Sequence, residues 1–398
     1  MTSSAKRIRA YQGPALLSFG FRPFFLFAGI WAVLALCLWT LMVTGALTLP
    51  SHLAPADWHV HEMLYGYIPA VIAGFLLTAV PNWTGHLPIT GAPLLALVLL
   101  WLAGRLALFF SAFTGGPVAA VIDAAFLFTL AAVIGREVIA GKNWRNLKVL
   151  VLLCLLGAGN VLYHVEAMQP GAAYGYGARL GTGAILFLIM LIGGRIIPSF
   201  TRNWLVKQGE GRLPAPFNRF DIAAMVAAGI ALLSWIALPF HAATAWLCLI
   251  AGLFHLLRLA RWAGERSFAE PLVIVLHAGY LFVPLGFFAL AAAHFFPASL
   301  IYGDGLHAWT IGAMGVMTLA VMSRAALGHT GHPLTAGRGL ALIYVLIVLA
   351  PFARLFMSIS DAPQTLLYLS AFGWIGAFGG FTILFAPLLA AARKGKAR

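Results

Sequence analysis

Twelve apolar stretches, each long enough to cross a bilayer as a helix, leave this 398-residue chain few folds to choose from. They lie at about 21–46, 60–82, 92–112, 117–139, 146–166, 179–201, 218–239, 241–262, 270–296, 305–327, 338–359 and 365–390. A span needs about 20 apolar residues at about 1.5 Å each. In hydrocarbon the backbone must satisfy its own hydrogen bonds, which a helix does within one segment. The expectation is an all-α polytopic membrane protein of about twelve transmembrane helices. Charged residues make up only 9% of the chain, against roughly 25% in a soluble domain. Residues 1–398 therefore read as a single integral membrane domain, with 1–20 as an N-terminal segment and 391–398 as a basic tail.

The net charge of +14 does not indicate nucleic-acid binding, because the basic residues lie between apolar spans. There is no basic arm, zinc-knuckle spacing or basic patch interleaved with aromatics. Their distribution instead sets orientation. Lys6, Arg7 and Arg9 at one terminus and Arg393, Lys394, Lys396 and Arg398 at the other share a side with the basic loops. The positive-inside rule makes both termini cytoplasmic. Cys37, Cys154 and Cys248 sit alone in separate apolar segments, so neither a disulfide framework nor a thiolate zinc site is expected.

The second and tenth stretches echo one another. His61 to His86 and His307 to His332 are both separations of 25 residues, roughly 37 Å of helix. An ungapped alignment sets His61 on His307, Gly66 on Gly312, and Thr84-Gly85-His86 on Thr330-Gly331-His332. Setting Pro198 on Pro81 adds the sixth stretch, with Arg195 on Arg324, and predicts three four-helix pseudo-repeats. The sixth stretch has no histidine at the matching positions.

Ionisable groups inside a bilayer are functional candidates by default. His59 and His61, two apart on a helix, point about 200° from each other and so serve different centres. A haem between His61 and His307, at equal depth, is the simplest construction. Glu62 is positioned to orient His61. On the opposite face His277 shares a helical face with Tyr280, and His255, Arg258 and Trp262 form another. Arg195 and Arg324, costly within spans, would meet an anion such as a haem propionate. Interfacial histidines and snorkelling arginines are the plain alternative. No Ser/His/Asp order, P-loop or HExxH is present; HEMLY at His61 has Tyr65 where a second histidine is required.

The motifs WHVHEMLYGY, VIAGFLLTAVPNWTG, GGRIIPSFTRNW, LHAGY and MTLAVMSRAALGHTG resemble the NnrS family of bacterial membrane proteins over essentially the whole chain. The resemblance implies a multi-pass protein of the bacterial inner membrane carrying haem, expected as b-type, and copper. It implies a link to nitric oxide, denitrification and nitrosative stress, and leans toward an oxidoreductase with nitric oxide or a related nitrogen oxide as partner and an unknown electron donor. By motif it points to His59, His61, His277, His307 and His329 as metal or haem ligands, with Arg195 and Arg324; His164 and Arg258 complete the candidate set. A more distant architectural likeness is to the catalytic subunit of haem–copper oxidases and nitric-oxide reductases, from which the chain departs by lacking the helix-six histidine. A twelve-helix transporter and a non-catalytic haem-based sensor or assembly partner are the alternative functions.

Overall fold

The computed structural model describes residues 11–84 and 88–391, and among them every regular element is helical. Twelve helices are long and apolar enough to cross a membrane: α1 Phe21–Val43, α2 Pro55–Pro81, α3 Ala92–Phe109, α4 Gly116–Ala140, α5 Trp144–Glu166, α6 Tyr176–Leu205, α7 Arg219–Ala237, α8 Ala242–Arg266, α9 Pro271–Phe295, α10 Tyr302–Thr330, α11 Arg338–Leu355 and α12 Pro363–Ala390. This is a multi-pass membrane protein. The spans follow the hydropathy reading to within a few residues. The largest shift is at α2, which begins at Pro55 because a proline is pre-set for the first turn and Asp57 suits the positive end of the helix dipole. His86 and the basic termini, Lys6 to Arg9 and Arg393 to Arg398, lie outside the described residues.

The chain divides into two compact units. The first takes residues up to Ala184, with Ala325–Pro333 and the chain from Phe381; the second takes Ile185–Arg324 and Leu334–Gly380. In the first unit α1 packs on α2, α3 on α4, and α4 on both α2 and α5. In the second α7 packs on α8, α8 on α9, and the first half of α10 on α9 and α11. Burial singles out two helices: 83% of the α2 span and 72% of the α9 span lie inside the protein, against 33% for α1, α7 and α11. Ionisable side chains on α2 and α9 therefore meet protein, not lipid.

The sequence echo between α2 and α10 has a backbone counterpart. Directly after His61, residues Glu62–Tyr67 form a π-helical segment, and directly after His307, Ala308–Val316 form another. Such segments are rare and gather at functional sites, because the wider turn re-aims the side chains on it. The aligned glycines do different work in the two copies. A Cβ on Gly66 would strike Arg105 and Glu62, whereas one on Gly312 would strike the ring of Phe282. The first copy has made room for a charged pair, and the second for an aromatic side chain.

Close helix approach holds α5 against α6. A Cβ on Gly177 would lie 2.6 Å from the Cα of Tyr163, and backbone cannot yield as a flexible side chain can. Gly177→Ala is expected to lower stability by about 2–3 kcal/mol through overpacking. Gly157→Ala is the control, since its Cβ would meet Phe128 at an ordinary 3.4 Å. Thermal unfolding in detergent checks both; equal midpoints for the two variants would show that the α5–α6 contact yields freely.

Candidate functional site

One buried constellation dominates the first unit, where α2, α3, α4 and α5 meet. α2 brings His61 and Glu62, α3 brings Arg105, α4 brings Asp123, and α5 brings Asn160 and His164 one turn apart on a shared face. His61 and Glu62 are wholly buried, Arg105 and Asp123 nearly so, and His164 is 6% exposed. Asp123 is the hub. Its Oδ2 lies 3.2 Å from Nε2 of His61 and 3.0 Å from Nε2 of His164, and it accepts from Nδ2 of Asn160 at 2.8 Å. Its Oδ1 accepts from Arg105, whose other terminal nitrogen donates to Oε2 of Glu62 at 2.6 Å. Trp31 of α1 also donates to that Glu62 oxygen, at 2.7 Å.

The hydrogen-bond pattern fixes orientations. Asn160 spends its amide donor on Asp123, so its Oδ1 faces His61 Nε2 at 3.1 Å as an acceptor. Nδ1 of His61 lies 3.3 Å from Oε1 of Glu62. Both ring nitrogens of His61 thus face oxygens. Nε2 therefore carries a proton toward Asn160 and Asp123; a metal ion among His61, Asp123 and His164 would displace that proton and leave Nδ1–H on Glu62, as in a carboxylate–histidine–metal arrangement. Nδ1 of His164 is buried with no hydrogen-bond partner, which costs about 1–3 kcal/mol where nothing satisfies it.

Charge gives the same reading. Arg105 supplies one positive charge, and Glu62 and Asp123 one negative charge each, so the ion network is net negative before the histidines are counted. A buried surplus charge is costly unless a cation answers it, and an imidazolium or a metal ion does so. One ligand atom from each of His61, Asp123 and His164 lies within 4.8 Å of the others. Tyr65 and Tyr163 close the site with rings 5.4 and 5.3 Å from that of His61; their hydroxyls donate to the carbonyls of Gly177 and Asp57. Outside the spans, His52 is held below the usual histidine pKa by partial desolvation of its ring, then by His164 and His61.

The other candidates are placed apart from this cluster. His59 leaves α2 on a different side from His61, as a two-residue step requires, and stacks on Trp39 at 4.4 Å. His329 packs against Phe19 and Phe21, with centroids 5.5 and 5.4 Å away. In the second unit His277 bonds Thr201 at 2.8 Å through Nε2. Tyr280, expected beside it, turns instead to His255 and Arg258, each at 2.8 Å. Arg258 also reaches Asp221 at 3.0 Å, so its charge is spent on a carboxylate of the chain. Arg324 lies over the Phe200 ring at 4.0 Å, and Arg195 is half-buried on α6. His307 has Nδ1 2.6 Å from the carbonyl of Gly303. A carbonyl only accepts, so Nδ1 carries the proton and the lone pair is on Nε2.

Asp123, Asn160 and Arg105 were not singled out from the sequence as site residues, although a signal existed. Arg105 and Asp123 are opposite charges near the joined ends of two consecutive spans, and Asn160 stands four residues before His164. A hairpin of helices brings the first pair to one depth, and helical spacing puts the second pair on one face.

The family model described as NnrS protein matches residues 15–393 of the chain. A comparison with curated proteins found no match.

Proposed function

The chain belongs to the NnrS family, which links it to nitric oxide, and on that premise we propose that it is a membrane redox protein that binds or metabolises nitric oxide. In this reading it carries copper and haem, protects against nitrosative stress, and sits in the bacterial inner membrane with both termini cytoplasmic. The observation that carries the proposal is the buried, net-negative His61/Asp123/His164 constellation.

Copper fits that constellation. Two imidazole nitrogens and a carboxylate oxygen suit first-row divalent ions, and the surplus negative charge asks for a cation. Haem does not fit between these rings. The centroids of His61 and His164 are only 4.8 Å apart, and both Nε2 atoms face one Asp123 oxygen, which leaves no plane for a macrocycle. We therefore assign His61 to the small ion, not to a haem shared with its echo His307. For haem, His307 is the fitting ligand: its Nδ1 proton is anchored on Gly303, and its lone pair is on the nitrogen that ligates iron. Arg324, 17 residues further along α10 and so about 25 Å from His307, is out of reach of that haem's propionates.

A bound copper ion supplies a Lewis-acidic position that exchanges single electrons with a nitrogen oxide. The chain's own residues do the rest. Arg105 holds Oδ1 of Asp123 and so presents a single oxygen, Oδ2, to the ion. Oε1 of Glu62 accepts a hydrogen bond from Nδ1–H of His61 and so fixes the tautomer. Trp31 and Arg105 keep Glu62 from turning inward as a ligand. Tyr65 and Tyr163 wall the pocket from water while their hydroxyls are tied to backbone.

The test is purification in detergent, metal analysis, visible spectra of oxidised and reduced protein, and anaerobic addition of nitric oxide with an electron donor. Copper, a Soret band and consumption of the gas are expected; binding without consumption would make the protein a sensor, and folded protein with neither metal nor Soret band would overturn the proposal. His307→Ala is expected to abolish most of the Soret absorbance while copper content stays unchanged. An unaltered spectrum would remove α10 as the source of the ligand.

A further inference from the structure

His52 belongs to the segment between α1 and α2, outside both spans, and is exposed. Its ring is nonetheless held in place. Oγ of Ser111 donates to the carbonyl of Leu108 at 2.8 Å, and it also receives the backbone N–H of His52 at 3.0 Å. The 2.7 Å contact between that oxygen and Nδ1 of His52 must then take its proton from the ring. The proton is on Nδ1, and Nε2 carries the lone pair. A plain helix cap or turn contact would need no such fixed tautomer.

The position of Nε2 follows from Gly116. A Cβ on that glycine, at the first turn of α4, would lie 3.1 Å from Nε2 of His52. Asp123 is seven residues further along α4, two turns on the same face and about 10 Å deeper. His52 thus stands over the approach to Asp123 from the nearer end of α4. His164 and His61 are close enough to bear on its charge, and His164 has its unpartnered Nδ1 in the same buried cluster. His61 and His164 lie side by side on Asp123, with ring centroids 4.8 Å apart, and His52 packs on the first turn of the helix that carries Asp123.

We propose that His52 is the receiving ligand of the metal site: a neutral imidazole that takes a first-row transition-metal cation from the aqueous side and passes it to His164, Asp123 and His61. The inference rests on the reading of those three residues as a metal site and adds its route of loading. The step is ligand exchange only. The cation keeps its charge, bonds to His52 Nε2 and water are replaced by bonds to the inner donors, the protons that His61 and His164 direct at Asp123 leave to water, and no electron moves.

The experiment strips the full-length protein with a chelator and follows uptake of Cu(II) by its electron paramagnetic resonance signal. His52→Asn is the informative variant, because its amide N–H can still donate to Ser111 while the distal lone pair is gone. Uptake is expected to slow by about tenfold, with the final stoichiometry and signal of the wild type. His164→Ala is expected to lose capacity instead. Uptake by His52→Asn at the wild-type rate would overturn this inference and leave the metal site standing. A changed final signal would make His52 a permanent ligand and also overturn it. Stripped wild type that takes up no copper would overturn the site and the route together.

Discussion

Asp123→Asn is expected to abolish copper binding at the proposed metal site and to cost about 3 kcal/mol of stability. Asp123 Oδ2 faces both histidines and accepts from Asn160, while Oδ1 accepts from Arg105. An amide can satisfy only part of this set. If its oxygen stays with Arg105, its NH2 group points at the NH2 group of Asn160 and at two imidazoles, which removes an acceptor and a ligand at once. Losing one partner of a buried ion pair costs about 3–5 kcal/mol; the lower end applies because Glu62 still faces Arg105 at 2.6 Å. Copper affinity is expected to fall more than about 100-fold, since a charged ligand is lost together with the net negative charge. Metal titration and thermal unfolding in the same detergent measure the two effects. Wild-type copper affinity in Asp123→Asn would refute the constellation as a site.

Arg258→Met is expected to be the most destabilising single change in the second unit, by about 3–5 kcal/mol. Arg258 is 1% exposed and reaches Asp221 at 3.0 Å, Tyr280 at 2.8 Å and the carbonyl of Met190 at 3.1 Å. Methionine fills much of the volume but donates nothing. Asp221 would keep only Arg261, at 3.2 Å, although Asp221 also closes the capping box at the start of α7. The chain from Arg258 through Tyr280 to His255 and the carbonyl of Ala224 would lose its first donor. A double-mutant cycle with Asp221→Asn separates the pair from the rest, and a coupling of at least about 1.5 kcal/mol is expected. A shift in unfolding midpoint within error of zero for Arg258→Met would mean that the network contributes specificity and not stability.

Much of the fold was legible because hydrocarbon enforces it: a span must be helical, apolar and about 20 residues long. Hydropathy therefore located all twelve helices, whereas the π-helical segments after His61 and His307 came from the structure, since the α2–α10 echo implies only a repeat and a ligand pair. The candidate site was legible only in part. His61, His164 and Glu62 were identifiable as ionisable groups at span ends. Tyr280 was assigned to His277 by spacing along one helix, yet it bonds His255 and Arg258 because neighbouring helices supplied better partners than its own turn.

By itself the sequence determined the number of spans, the family and the histidines worth following, since each depends on local composition or on residues close in the chain. Only the tertiary structure decided that Asp123, from α4, stands between His61 of α2 and His164 of α5, and that Arg105 of α3 holds it there. Those four helices are joined by rotation as well as by depth. Sequence gives depth through span ends, but the rotation of each helix is set by packing against its neighbours.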